Sequence, residues 1–275
     1  MPSRRRDATE PDTRLSKKMS AVLRHRIQEN GLGPVCRPDG YVPLAALLAA
    51  PGFDGASEAD VRRVVARNDK QRFSLTTGPD GATYIRANQG HSIDGLDDGV
   101  MLERLDASSV DTPTRAVHGT SLAAWPAILA SGGLSPMSRR HVHLAADLPH
   151  ASTGVISGMR ASAQVHIWVD VAAAAAAGVP FYRAANGVIL TPGAPASGVL
   201  PEAYFCRVVD VSESAPREWD LARACWAQPA EDAEPARSRA AGAGARPGLV
   251  TATAAHAAAP RAALHSVDLT VDARR

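Results

Sequence analysis

The sequence predicts an α+β fold in two lobes, and three observations carry that prediction. Apolar residues recur at helical spacing in the first part of the chain, at Leu15, Met19, Val22, Leu23 and Ile27 and again at Val61, Val64 and Val65. From residue 114 to residue 212 strand-like stretches such as "AQVHIWVDV" dominate, with few helices between them. Beyond Glu213 the chain turns to "ARSRAAGAGARPGLVTATAAHAAAPRAAL", which has too few large apolar residues to bury a core.

Taken in order, residues 1–13 are polar and expected to be disordered. A helix follows from Leu15, with Thr13 or Ser16 available as cap. "RPDGYVPLAALLAA" reads as a turn at Pro38-Asp39-Gly40, a short strand and a helix. "SEADVRRVVARNDK" opens on a capping serine, Ser57. "QRFSLTT", the turn "GPDG" and "ATYIRA" form a β-hairpin. Three helices and a hairpin are the outline of a winged-helix lobe, expected over 14–94. Residues 95–113 read as a linker. The second lobe, 114–212, offers a strand at Arg115–His118, a helix at Leu122–Ser131, and strands in "HVHLA", "AQVHIWVDV", "GVILT" and "PEAYFCRVVDV". Residues 213–275 are expected to be a disordered tail.

Composition narrows the function classes. Hydrophobic residues make up 45% of the 275, but aromatics only 4%, so the core must be mostly aliphatic. The net charge of +2 hides an asymmetry: residues 1–93 hold 15 Lys+Arg against 10 Asp+Glu, and all three lysines (Lys17, Lys18, Lys70) lie there. That bias favours an anionic partner, nucleic acid being the commonest, although free use of arginine would produce it too. Three dispersed cysteines make neither a disulfide framework nor a zinc ribbon, and an intracellular protein, cytoplasmic or nuclear, is expected. "MPSRRRDATE" has no apolar run behind it, so no secretory signal is expected, and no segment has the length and apolarity of a membrane span, so no membrane partner is expected.

Six clusters carry candidate chemistry. "LRHRI" places Arg24 and His25 on a helix; alone it would read as a solvated face. Arg72 opens the first hairpin strand. "RANQGHSI" surrounds Gly90 with donors from Gln89, His91 and Ser92, which suits a phosphate, as it would an ordinary polar turn. His118-Gly119-Thr120 ends a strand before a helix, where backbone N–H groups favour anions. "SPMSRRHVHLA" sets Arg139 and Arg140 before His141 and His143, which share one strand face. Zinc would need a third ligand that no nearby residue offers, so a phosphate grip by Arg139 and Arg140 is the better reading and no metal is expected. "GVISGMRAS" carries Gly158 and Arg160 and matches no Rossmann or P-loop pattern.

Together, "LSKKMSAVLRH", "DGYVPLAALL", "NDKQRF", "RANQGHSI", "HGTSL", "SPMSRRHVHLA", "GVISGMR" and "NGVILT" resemble, in order, the NAD-dependent RNA 2′-phosphotransferases, the KptA family, with "NDKQRF" and "GVISGMR" more like its eukaryotic members than its bacterial ones. The resemblance covers roughly residues 14–212. It implies transfer of the 2′-phosphate at the splice junction of ligated tRNA to NAD, in tRNA splicing, with RNA and NAD as partners and a monomer as the working form. It implies a catalytic set of Arg24, His25, Arg72 and Arg139. It further implies an ADP-ribosyltransferase-like second lobe that binds NAD through His118, Gly119, Thr120, His143, Gly158 and Arg160, and RNA or phosphate contacts by Lys17, Gln89, Gly90, His91 and Ser92. Val188 stands where protein-modifying relatives of that fold carry a glutamate, which argues against protein ADP-ribosylation. Arg140 departs from the family's usual Asn; it bears either on the phosphate pocket or on surface charge alone. Two rivals remain at this point: an ADP-ribosyltransferase acting on nucleic-acid ends, and a non-catalytic RNA-binding protein.

Overall fold

Helix α1 (Glu10–His25) begins before the first apolar residue of its stripe. Glu10 pairs with Arg14 at 3.1 Å, and the buried carboxylate of Asp12 accepts from Arg63 at 2.9 Å. Residues 10–13, expected to be disordered, are therefore helical: polar contacts rather than apolar ones hold this turn. The computed structural model describes residues 10–148, 159–160 and 162–226, all within one unit of the chain.

Met19, Val22 and Leu23 face inward from α1, as the spacing indicates. Strand β1 (Val42–Pro43) leads directly into α2 (Leu44–Ala49). Helix α3 (Glu58–Ala66) starts in a reciprocal cap: Ser57 Oγ accepts from the Asp60 N–H, and the Asp60 carboxylate accepts from the Ser57 N–H. Strands β2 (Phe73–Thr77) and β3 (Thr83–Ala87) form the expected hairpin, and β1 joins β3 to give the antiparallel order β1-β3-β2. Met19, Leu23, Leu47, Val61, Phe73 and Ile85 close the core beneath it.

The next stretch corrects the expected linker. Residues 98–105 form a helical turn, α4 (Asp98–Met101), and a strand, β4 (Glu103–Leu105). The chain then runs through β5 (Arg115–Thr120), α5 (Trp125–Ala130), β6 (Gly133–Leu134), β7 (Val142–Leu144), β8 (Val165–Asp170), α6 (Val171–Ala176), β9 (Phe181–Arg183), β10 (Ile189–Thr191), β11 (Leu200–Pro201), β12 (Phe205–Asp210), β13 (Arg217–Asp220) and β14 (Cys225–Trp226). The architecture is mixed α/β, with several antiparallel sheets and few helices.

Strand order is β4-β9-β10-β7 in one sheet and β14-β13-β12-β8-β5 in another, with a small β11-β6 pair. β4 is thus an edge strand of the second half's sheet, and Met101 and Leu102 pack into the first half's core. That core also takes in Ala184, Val188 and Leu190, so the two halves share apolar packing. Val117 and Ala145 exchange two backbone hydrogen bonds of 2.8 Å, joining β5 to the end of β7. This junction brings His118 and His143 side by side.

The tail boundary also moves. β13 pairs with β12, and β14 with β13, so the ordered sheet continues to Trp226 rather than ending at residue 212. Trp219 and Trp226 lie 5.2 and 6.2 Å from the ring of Trp125, which is 2% exposed. Two aromatic rings bury what a longer aliphatic stretch would otherwise cover. Residues 227–275 of the expected tail, and residues 1–9, lie outside the described residues.

Candidate phosphate site between α1 and the β5–β7 junction

Arg24 lies in the last turn of α1, and the loop after β3 wraps that end. The Ser92 N–H donates to the Arg24 carbonyl at 2.9 Å. Gly90 holds φ at +87°, a conformation side chains rarely adopt, and a Cβ there would lie 3.5 Å from the Arg24 guanidinium. Arg24 Nε and Nη2 are buried and have no hydrogen-bond partner among the described residues. Burial, with repulsion from Arg139 and Arg72, lowers its pKa to about 10.

Arg72 is placed by a turn that asparagines hold. Gln71 takes φ +41°, and its carbonyl accepts from Asn88 Nδ2 at 2.7 Å. Asn68 Oδ1 accepts from both the Arg72 N–H (3.3 Å) and Nη1 (3.2 Å). Asn186 Nδ2 reaches across from the β9–β10 turn to the Lys70 carbonyl at 3.0 Å. Lys70 Nζ donates to the Met159 carbonyl at 3.2 Å. The sequence motifs do not single out Asn68, Asn88, Asn186 or Lys70 for these roles, although each sits in or beside one of them. Their contacts span up to 116 residues, a distance no local pattern reports.

Arg139 closes a tight turn from Pro136, in which Met137 has φ +59° and is 85% exposed. Burial, then repulsion from Arg160, lowers the Arg139 pKa. Arg140 turns the other way. Its guanidinium donates to the Leu96 carbonyl and pairs with Asp98, both at 3.1 Å, and its N–H donates to the His91 carbonyl. Asp98 also meets His141 Nε2 at 3.1 Å. Arg140 therefore neither lines the pocket nor hangs in solvent; it fastens the 91–98 loop to the start of β7.

On the other wall, His118 Nδ1 donates to the His143 carbonyl at 2.9 Å. That bond fixes the tautomer and leaves Nε2 as acceptor. Burial first, then Arg139, holds the His143 pKa at about 3, so its ring is neutral; its Nε2 is buried without a partner among the described residues. At Gly119 a Cβ would lie 2.7 Å from Met159 Sδ, so only glycine lets that residue approach β5.

These groups line two cavities. The larger, about 970 Å³, is bounded by Arg24, Arg72, Gln89, His118, Gly119, Thr120, Arg139, His143 and Arg160 among others. The smaller, about 500 Å³, lies between α1 and the α3–β2 turn and includes Lys17. Arg24, Lys70 and Arg72 line both. His25, Gly90, His91 and Ser92 line neither. His25 Nδ1 is 2.8 Å from Ser92 Oγ, and its pKa is lowered by burial and by Arg139, Arg24 and Arg26. His91 is 2% exposed, and its pKa falls to about 3 through burial and nearby arginines. Gly158 lies outside the described residues.

No ion pair among the described residues involves Arg24, Arg72, Arg139 or Arg160. Guanidiniums that repel one another and lack carboxylate partners favour an anion with several oxygens. Among the described residues, no group of three or more His, Cys, Asp or Glu is arranged to hold a metal ion. Neutral imidazoles and an unpartnered Asn186 Oδ1 supply further polar edges in the larger cavity. Fold and site together define a mixed α/β protein with an arginine-lined cavity suited to phosphate chemistry.

Comparison with known proteins sharpens that class. Residues 10–193 match the family model described as "RNA 2'-phosphotransferase, Tpt1 / KptA family". A "tRNA 2'-phosphotransferase 1" of Danio rerio is 46% identical over 197 residues, covering 71% of this chain and 84% of the relative. The Homo sapiens protein of that name is 45% identical over 199 residues, 70% of this chain and 74% of the relative. A "Probable RNA 2'-phosphotransferase" of Rhizobium rhizogenes is 36% identical over 191 residues, 69% and 93% of the two chains. The chain belongs to the RNA 2′-phosphotransferase family, Tpt1 / KptA.

Proposed function

We propose that the protein is an NAD-dependent tRNA 2′-phosphotransferase of tRNA splicing. The observation that carries this reading is the convergence of Arg24, Arg72 and Arg139 on one cavity, which no carboxylate of the described residues lines. The first half acts as a winged-helix-like RNA lobe, and the second as an ADP-ribosyltransferase-like NAD lobe. The larger cavity lies at the upper end of the size range for small-molecule sites. Its unsatisfied His143 Nε2 and Asn186 Oδ1, and its cation Arg160, suit the hydroxyls and diphosphate of NAD. The protein works as a monomer inside the cell, without a metal.

In the first step an oxygen of the RNA 2′-phosphate attacks C1″ of NAD, and the bond to nicotinamide breaks. In the second the ribose 2″-OH attacks phosphorus, the bond from phosphorus to the RNA 2′-oxygen breaks, and that oxygen takes up a proton. The products are RNA with a free 2′-OH and ADP-ribose 1″,2″-cyclic phosphate. Arg24, Arg72 and Arg139 orient the phosphate and stabilise charge on its oxygens, the main contributions proteins make to phosphoryl transfer. His25, whose pKa is lowered by burial and then by Arg139, Arg24 and Arg26, is the group assigned to proton movement in the second step.

The test is incubation with NAD and a 2′-phosphorylated oligonucleotide. Release of nicotinamide and cyclic phosphate is expected. A stable ADP-ribosylated RNA end, with no cyclic product, would instead identify a terminal-phosphate ADP-ribosyltransferase.

A further inference from the structure

Beyond Lys17, Arg24 and Arg72, the lining of the smaller cavity has no role in the reaction proposed above. It runs along one face of α1, where Thr13, Ser16, Ser20 and Arg24 follow at intervals of three, four and four residues. Across from them stand Arg67 and the α3–β2 turn. Five cationic side chains line it against two carboxylates, Asp12 and Asp69. Asp12 is already engaged, by Arg63 and Arg67. Lys17 is exposed and has no ion-pair partner among the described residues. Among the described residues no aromatic side chain lines the cavity, and Val64 is its one aliphatic residue.

We infer that this groove is a track for the ribose-phosphate backbone of RNA on one side of the 2′-phosphate, read without regard to base. The two cavities adjoin. Arg24, Lys70 and Arg72 line both, so a phosphate held between Arg24 and Arg72 opens onto both. A nucleotide co-substrate in the larger cavity leaves the smaller one as the exit for the strand. The lining matches such a strand as well. Hydroxyls and cations contact phosphate and sugar, whereas base reading in single strands relies on stacking aromatics, which the groove's described residues do not supply. The stripe from Thr13 to Arg24 spans about 16 Å of helix, room for roughly two to four nucleotides depending on their stacking.

The inference rests on the proposed reaction, and the experiment separates the two. Synthetic RNAs carry one internal 2′-phosphate: a dinucleotide, then versions extended by one to four residues on the 5′ side only or the 3′ side only, with normal or abasic extensions. Turnover of the dinucleotide tests the reaction itself. For the groove, extension on one side should raise kcat/KM by about tenfold or more, and abasic residues should keep that gain. Lys17→Glu and Ser20→Asp should erase the gain, with unchanged melting showing that the fold is intact. In those variants the slope of log Kd against log salt for the extended RNA should fall by roughly 0.7 for each phosphate no longer neutralised. Equal kcat/KM for dinucleotide and extended RNAs would overturn the inference. So would a gain that needs bases, or one that survives Lys17→Glu.

Discussion

At the residue scale, the arginines divide by where their guanidiniums point. Arg139 and Arg72 line the cavity without ion-pair partners among the described residues, so their charge is free for the phosphoryl oxygens. Removing one preorganised donor of this kind costs about 10²–10³ in rate. Arg139→Ala and Arg72→Ala should still release nicotinamide but accumulate 2′-phospho-ADP-ribosylated RNA, read by mass spectrometry; His25→Ala should do the same. Unreacted substrate in all three would assign these residues to binding or to the first step. Arg140→Ala should leave the rate within about tenfold and act mainly on stability, because Arg140 holds Leu96 and Asp98 rather than the cavity. Asn186→Ala frees the Lys70 carbonyl and should loosen the turn that carries Arg72. Its intermediate should resemble that of Arg72→Ala, and adding it to Arg72→Ala should change little; full additivity would count against that coupling.

At the element scale, β13 and β14 decide where the chain can be cut. A chain ending at residue 226 keeps both strands, and its turnover on a short oligonucleotide should match the full chain within about tenfold. Ending at Glu213 removes Trp219 and Trp226 from over Trp125, which should cost on the order of 2–4 kcal/mol and lower the melting temperature by several degrees. Thermal melts of the two truncations check this. Elements with strong local signals were legible in the sequence: the Ser57 cap, the β2–β3 hairpin and the strand β8 all stand as expected. The strands β4, β6, β9, β11, β13 and β14 are two to four residues long, too short for a local period to mark them, and β4–β9 and β6–β11 pair across long stretches of chain. The site divides similarly. Arg24, Arg72 and Arg139 announce themselves by charge, whereas Asn68, Asn88 and Asn186 act through backbone groups whose neighbours only the fold reveals.

At the scale of the whole molecule, neutral buried histidines make the fold sensitive to acid. His91 and His143 have pKa values of about 3 in the folded protein, against 6.5 for a free side chain. Above pH 6.5 neither state binds the extra proton and stability is at its full value. Below it the unfolded chain takes up protons that the folded one refuses, so stability should fall steadily from about pH 6.5 to about pH 3. Melting temperature against pH should show that slope, and His91→Gln should flatten it; an unchanged slope would place the acid sensitivity elsewhere. Turnover should survive excess chelator, since the charge at the site comes from arginine; a loss restored by zinc or magnesium would contradict this. No helix of the described residues is long and apolar enough to cross a membrane.

The depressed pKa of Arg24 also has a consequence for reagents. Vicinal dicarbonyls attack the deprotonated guanidine, and a group with a pKa of about 10 offers far more of that form near pH 8 than an ordinary arginine does. Arg24 should therefore be labelled early by such reagents despite its partial burial. An RNA 2′-phosphate seated against it should shield it, so that inactivation by a dicarbonyl becomes a footprint of the occupied site.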